Sequence, residues 1–405
     1  VSPITEEIVP LVKQCDCGHL HYDIPIEQMT VGCDAFEQLV AYLRHKRYEK
    51  VAVVADDRTF AAAGKSLCDE LENQSIRYTI CLVQPDENGD VIADERSIVQ
   101  VLLETPNDVD VFVAVGAGTI HDITRFSSHK MKVPFISVPT APSVDGFTSM
   151  GAPLIIRGVK QTIQAQAPVA VFAHTDVLSQ APKEMIAAGF GDMVAKYTSL
   201  VDWQFAHWMA DEPYCPLVHQ LTEQSLKACV DHIDDIADGG EQGIRVLMNA
   251  LLQSGIAMLL MGQSYSASGA EHHLSHYWEM EFLRQNKQQV LHGAKVGAAT
   301  PMIIEHYQRV FWPLWNELEE RPKSIDEAAW ERLKANAASI QKLLESLPSP
   351  DRIRAMLEKV GGAAAFPEQL GIDLPLVERS LREAHRLRPN RFTILYFLNE
   401  WILGK

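Results

Sequence analysis

Short apolar runs alternate with stretches of helical spacing through the first half of the chain, and this alternation limits the possible folds more than any other feature. The runs lie at 51–55 (VAVVA), 78–83 (YTICLV), 110–115 (DVFVAV), 134–138 (PFISV) and 169–173 (VAVFA). Each is apolar throughout rather than on alternate residues, as expected of a strand buried on both faces. Helical spacing fills 34–44, where Phe36, Leu39, Val40 and Leu43 form one stripe, and recurs at 59–71, 95–104 and 119–130. Strand and helix in this order predict a parallel sheet covered on both faces by right-handed crossovers. Beyond about residue 181 the β-branched runs cease. Helical patterns then follow near 183–211, 217–238, 241–266, 270–284, 292–309, 325–346, 350–360, 375–387 and 391–402. At 405 residues the chain exceeds one comfortable core. The expectation is an α/β N-terminal domain, Rossmann-like, over 1–180 and an all-helical C-terminal domain over 181–405. The lead before residue 34 carries no classifiable pattern.

Charge and cysteine usage narrow the function classes. A net charge of −17 argues against a nucleic-acid or anionic-membrane binder, whose surface would repel the chain's average field. Holding a phosphorylated metabolite would need a local basic pocket. The apolar run at 246–262 is interrupted by Asn249, Gln253 and Ser254, too short and too polar to predict a membrane span. No stretch near residue 1 has the order of a signal peptide, so a cytoplasmic chain is expected. Seven cysteines without a disulfide rhythm fit reduced thiols. The CDCGH run at 15–19 lacks a second cysteine pair to complete a tetrahedral set, and no metal is assigned to it. Glu317, Glu319, Glu320 and Arg321 read as solvated helix.

Four stretches offer chemistry, each beside a structural alternative. Gly116-Ala117-Gly118 ends a strand and opens a helix, where a pyrophosphate can approach bare backbone N–H groups. His121 stands where a dinucleotide fingerprint has its third glycine, so a plain tight turn is the alternative. Asp56 or Asp57, after the first run, suits an adenosine ribose or a helix cap. The loop 138–154 carries Thr140, Ser143, Asp145, Thr148 and Ser149, suited to a ribose, a nicotinamide amide or ordinary turn bonds. Gly189-Phe190-Gly191-Asp192 is read as opening a helix, with Asp192 either its cap or a metal-completing carboxylate. Finally, 268–293 (SGAEHHLSHYWEMEFLRQNKQQVLHG) places His272 and His276 one turn apart on one helix face, with His292 beyond a polar loop. Three imidazoles able to converge suggest a divalent metal site; a solvated histidine-rich helix is the alternative.

Taken in order, GAGTIHD (116–122), PTAPSVDGFTS (139–149), GFGD with AK (189–196), SGAEHHLSH (268–276) and LHGAKVG (291–297) resemble the superfamily of iron-containing alcohol dehydrogenases and dehydroquinate synthases. Within it, they are most similar to the sn-glycerol-1-phosphate dehydrogenase family. The resemblance implies a nucleotide-binding α/β domain, a helical metal- and substrate-binding domain and an active site in the cleft between them. It implies that Asp192, His272 and His292 ligate one divalent metal, with zinc or nickel favoured and iron accepted. It implies NAD(H) or NADP(H) contacts at Gly118, Thr119, Ile120, His121, Asp122, Thr140, Ser143 and Ser149; Gly116 at the pyrophosphate and Asp56 at the ribose are added from position. Asp145, Asp192 and His276 become the catalytic and substrate-binding residues, and His273 is left to structure. The implied reaction interconverts dihydroxyacetone phosphate and sn-glycerol 1-phosphate, for phospholipid synthesis, in a homodimer. Lys160 and Lys196 are candidates for the phosphate from position alone. Two departures test the likeness: dehydroquinate synthases carry a glutamate where Asp192 stands, and glycerol dehydrogenases lack the PSVDG and SGAEHHLSH wording. A polyol dehydrogenase acting on unphosphorylated glycerol and a non-catalytic nucleotide-binding protein of the same fold are the alternatives.

Overall fold

The structure, a computed structural model, describes residues 3–318, 320–361 and 364–404; Glu319 lies outside them. Its centre is a six-stranded sheet built from β1 (Gln28–Val31), β2 (Lys50–Ala55), β3 (Arg77–Leu82), β4 (Val111–Gly116), β5 (Phe135–Pro139) and β8 (Ala170–Ala173). The order across the sheet is β1-β8-β5-β4-β2-β3, and every pairing is parallel. Val51, Val53, Val113, Ile136 and Phe172 face one apolar layer, while Ala52, Val54, Phe112, Ala114 and Phe135 face the other. Burial on both faces is the reason these runs are continuously apolar. The helix Glu95–Glu104 has the span the sequence predicts, its first turn fixed by Asp94, which accepts from the Ser97 N–H at 2.9 Å.

Four strands differ from the sequence expectation. β1, in the unclassified lead, is only four residues long and joins the sheet edge beside β8. β6 (Gly151–Ile156) and β7 (Val159–Gln164) form an antiparallel hairpin where no strand is predicted. The polar VKQTIQ wording of β7 hides it, because its side chains are mostly at the surface. β3 is an edge strand with several exposed residues rather than a buried one.

After β8 the remaining described elements are helical. The centre of this half is the helix Glu241–Met261, whose Leu247, Leu251, Ile256 and Leu260 are fully buried. By length and hydropathy it could cross a membrane, but most of it is enclosed by the protein, as in a core helix. The patterns read as 183–211 and 217–238 each divide in two: Lys183–Val194 with Lys196–Ala210, and Pro216–Asp231 with Ile233–Asp238. Consequently Gly189 to Asp192 lies inside the helix Lys183–Val194 and does not open one. Asp192 is therefore not an N-terminal cap.

Candidate active site

One cleft of about 1310 Å³ runs between the C-terminal ends of the strands and the helical half. After β3 the chain returns to place β4 on the other side of β2, so Asp56, just past β2, and Gly116, ending β4, flank the switch in strand order. In open α/β sheets this crevice is where ligands bind. The helix Gly118–Met131 starts here, and Ala117 before it supplies no side-chain cap. Its first N–H groups are left to a ligand or water. A side chain at Gly116 would meet Ile120 Cβ at 2.6 Å, so only glycine lets the turn close this tightly.

Thr119, Thr140, Ser143 and Ser149 line the same wall. Asp56 lines it too, with its cap alternative realised: Oδ1 accepts from the Thr59 N–H at 2.8 Å. His121 is different, because its ring is buried, with Nδ1 2.9 Å from the Ala117 carbonyl and Nε2 2.7 Å from Ser137 Oγ. Burial lowers its pKa to about 3, and the neutral ring serves the interior of the turn. The Ile120 side chain is likewise in the core. Asp122 pairs with Arg125 at 2.8 Å, yet burial outweighs that charge and pushes its carboxyl up to about 7. Arg125, which the sequence reading missed, is fully buried and donates to the carbonyls of Gly146 (2.6 Å), Phe147 (3.2 Å) and Gly151 (3.0 Å). It clamps the loop that carries Asp145.

Across the cleft, Asp192, His272 and His292 bring one donor atom each to within 4.8 Å of one another. The His272 Nδ1–H donates to Glu271 Oε1 at 2.8 Å, which leaves the Nε2 lone pair facing Asp192 Oδ1 at 3.7 Å. That gap is too long for a hydrogen bond and near the ~3.4 Å edge expected between two donors of one tetrahedral ion. The donor set of one carboxylate and two imidazoles fits zinc, nickel or iron. Burial, with the nearby charges of Lys160 and Lys295, holds His292 well below the usual histidine range, which favours the neutral ring a ligand needs. Glu271 orients the set. Burial alone would raise its carboxyl, but His272, Thr198 Oγ1 at 2.7 Å and the Gly269 N–H at 2.6 Å hold it below its ordinary value.

His276 stands beside this trio, its ring centroid 6.3 Å from His272 and 6.1 Å from His292. Burial and the positive charges of Lys160 and Arg388 keep it neutral. Asp145 reaches the trio through its backbone, whose N–H donates to Asp192 Oδ2 at 3.0 Å, while Ser254 Oγ donates to its carboxylate at 2.8 Å. Lys196 does not line the cleft; it is fully buried, 2.7 Å from Asp145 and 3.3 Å from Asp192. Its charge is occupied in neutralising those two carboxylates. The cations that do line the cleft are Arg58, Lys160, Lys295 and Arg388. Lys160 and Lys295 share Glu279, at 2.7 and 3.1 Å, and Arg388 donates to Ser268 Oγ at 2.6 Å. His273 is buried, with neither ring nitrogen hydrogen-bonded among the described residues. Glu271 and Lys295 sit within recognised motifs, but i−1 and i+3 spacing from a histidine does not reveal their contacts.

This architecture has relatives of known class. The family model described as iron-containing alcohol dehydrogenase matches residues 30–182. An alcohol dehydrogenase from Oenococcus oeni has the same fold, with a TM-score of 0.68 at 16% identity over 92% of this chain and 96% of its own. The chain belongs more narrowly to the glycerol-1-phosphate dehydrogenase family. It is 85% identical over 397 residues to the Geobacillus stearothermophilus glycerol-1-phosphate dehydrogenase (NAD(P)+), covering 98% of each chain. It is 79% identical to that of Geobacillus thermodenitrificans, again over 98% of both.

Proposed function

We propose that this chain is a metal-dependent, NAD(P)-linked oxidoreductase that reduces dihydroxyacetone phosphate to sn-glycerol 1-phosphate and catalyses the reverse. The observation carrying the reading is the meeting, at one cleft, of a glycine turn, the His272 and His292 rings with the buried Asp192 beside them, and three cations, Lys160, Lys295 and Arg388, in a protein of net charge −17. Three cleft cations, two of them sharing the single carboxylate of Glu279, leave a local excess of positive charge, which in so acidic a chain suits a phosphorylated substrate. The family likeness gives the same substrate.

In this reading residues 1–180 bind the dinucleotide and residues 181–405 bind metal and substrate. Gly116, Gly118, Thr119 and the first turn to Asp122 hold the pyrophosphate end, with His121 and Ile120 contributing backbone. Asp56 Oδ2 is left for a ribose, and Thr140, Ser143 and Ser149 approach the nicotinamide. A bound dinucleotide supplies the hydride. Asp192, His272 and His292 would hold a divalent ion, zinc or nickel with iron also accepted, which would supply Lewis acidity toward the carbonyl oxygen, worth several kcal/mol. Asp145, fixed by Ser254 and Lys196, orients the substrate hydroxyl. His276, neutral, presents a ring N–H to the oxygen that gains a proton. Lys160, Lys295 and Arg388 hold the phosphate. A cytoplasmic homodimer making the glycerol phosphate of ether-type phospholipids completes the reading by family likeness.

Comparing kcat/KM for dihydroxyacetone phosphate and dihydroxyacetone tests the substrate class. The phosphate should be preferred on the order of 10³-fold or more, because without it the positive charge of Lys160, Lys295 and Arg388 that Glu279 does not balance is left unmatched. Equal constants would instead favour a polyol dehydrogenase. Binding of NADH with no loss of its nicotinamide absorbance on adding either ketone would mark a non-catalytic protein.

A further inference from the structure

The CDCGH run, to which the sequence alone assigns no metal, does not stand by itself in the folded chain. Cys15 and Cys17 follow the N-terminal helix Pro3–Lys13, and Gly18 takes a φ of 80°, a left-handed turn that reverses the chain toward His21. The missing partner comes from 198 residues beyond Cys17. Cys215, buried, immediately precedes the helix Pro216–Asp231. His19, the histidine of the run, is exposed and plays no part.

The four donor atoms, three Sγ and His21 Nε2, all lie within 4.8 Å of one another. His21 Nε2 is 3.4 Å from Cys15 Sγ, 3.4 Å from Cys17 Sγ and 3.6 Å from Cys215 Sγ. Cys15 and Cys215 Sγ are 3.6 Å apart, far beyond the ~2.05 Å of a disulfide. A tetrahedral zinc ion with Zn–S of ~2.3 Å and Zn–N of ~2.05 Å places its donors about 3.8 Å (S to S) and about 3.5 Å (S to N) apart. The observed separations match those edges. Hydrogen bonding does not account for them, because one ring nitrogen serves a single thiol at a time. The other ring nitrogen, Nδ1, has no hydrogen-bond partner among the described residues, so the polar contacts of the ring there are the three made by Nε2 to sulfur.

We propose that Cys15, Cys17, His21 and Cys215 form a structural zinc site, separate from the cleft and closed to substrate. Three thiolates and an imidazole select zinc over the harder cations, and four protein ligands leave no open position. The site staples the N-terminal segment to the helical half. Ile8 and Ile26 on either side of it pack into that half's core, and the Tyr22 N–H donates to the Leu260 carbonyl at 3.0 Å. The same segment then enters the sheet as β1, so the zinc ties a sheet edge to the helices.

Metal analysis of the untagged full chain, purified under reducing conditions with zinc supplied, tests the site. The expected content is about two equivalents per chain, falling to about one in Cys17→Ser and to about one, by loss of the other ion, in Asp192→Asn. Cobalt loaded in place of zinc should give thiolate-to-metal charge-transfer absorption that Asp192→Asn retains and Cys17→Ser loses. If Cys17→Ser does not fold, the cobalt spectra of the parent and of Asp192→Asn still decide the matter. Cobalt-loaded parent chain without such absorption, a Cys15–Cys215 disulfide by mass, or a zinc content that Cys17→Ser leaves unchanged would each overturn the proposal.

Discussion

Asp192 shows how much one residue's meaning depends on its surroundings. Fully buried, it faces His272, receives the Asp145 N–H and is neutralised by Lys196, so its charge is balanced and its position fixed from three sides. Replacing His292 by alanine should abolish tight cleft-metal binding and lower kcat/KM by at least about 10²-fold, equivalent to about 3 kcal/mol. Metal content and turnover on the same sample check this. Glu271→Gln should be milder, because it weakens only the orientation of His272: metal affinity should fall about 10–100-fold while the fold persists. Competition with a chelator measures that affinity. The histidines of 268–293 were legible because four-residue spacing on a helix is geometry. Glu271 was not, since adjacent residues on a helix point about 100° apart and only the rotamers bring its carboxylate to Nδ1.

Among the elements, the helices Lys183–Val194 and His292–His306 set the distance between Asp192 and His292. They touch through glycines: a Cβ at Gly191 would run into the Gly293 carbonyl, and one at Gly293 into Ala188. Gly293→Ala should therefore cost about 1–3 kcal/mol in denaturant unfolding and weaken the cleft metal at the same time. Loss of stability without change in metal affinity would show that the contact does not gauge the site. The parallel strands were legible because double burial leaves continuous apolar runs. β1 and the β6–β7 hairpin were not, one being four residues long and the other polar on its outer strand. The tetrahedral cysteine–histidine set escaped the sequence for a different reason. Spacing rules read local pairs, and here three proposed ligands from one segment, Cys15, Cys17 and His21, meet a third cysteine, Cys215, that only the tertiary fold delivers.

At the scale of the whole molecule, the cleft is held from both sides by charge. Lys160 on β7, Glu279 on the helix Ala270–Arg284 and Lys295 on the helix His292–His306 form one cluster across the two halves. Burial alone would raise the Glu279 carboxyl, but the two lysines outweigh it and hold it far below its ordinary 4.5. A depressed carboxylate stabilises the fold above its unfolded value and loses that contribution as pH falls through the folded value. Between about pH 5 and about pH 3 the parent should therefore lose more thermal stability than Glu279→Gln, as followed by circular dichroism. The division into a sheet half and a helical half was legible from the change in periodicity near residue 181. Of the cations proposed for the phosphate, Lys160 was named from position, whereas Lys295 and Arg388 were not, because they reach the cleft from helices whose facing the sequence does not fix; Lys196, the other positional candidate, is committed to Asp145 and Asp192. The central claim is the reaction itself, and chiral analysis of the product formed from dihydroxyacetone phosphate and NADH by the metal-loaded protein tests it most directly. The account predicts sn-glycerol 1-phosphate in step with NADH oxidation, abolished by EDTA and restored by zinc or nickel; formation of the 3-phosphate enantiomer, or no product with metal present, would contradict it.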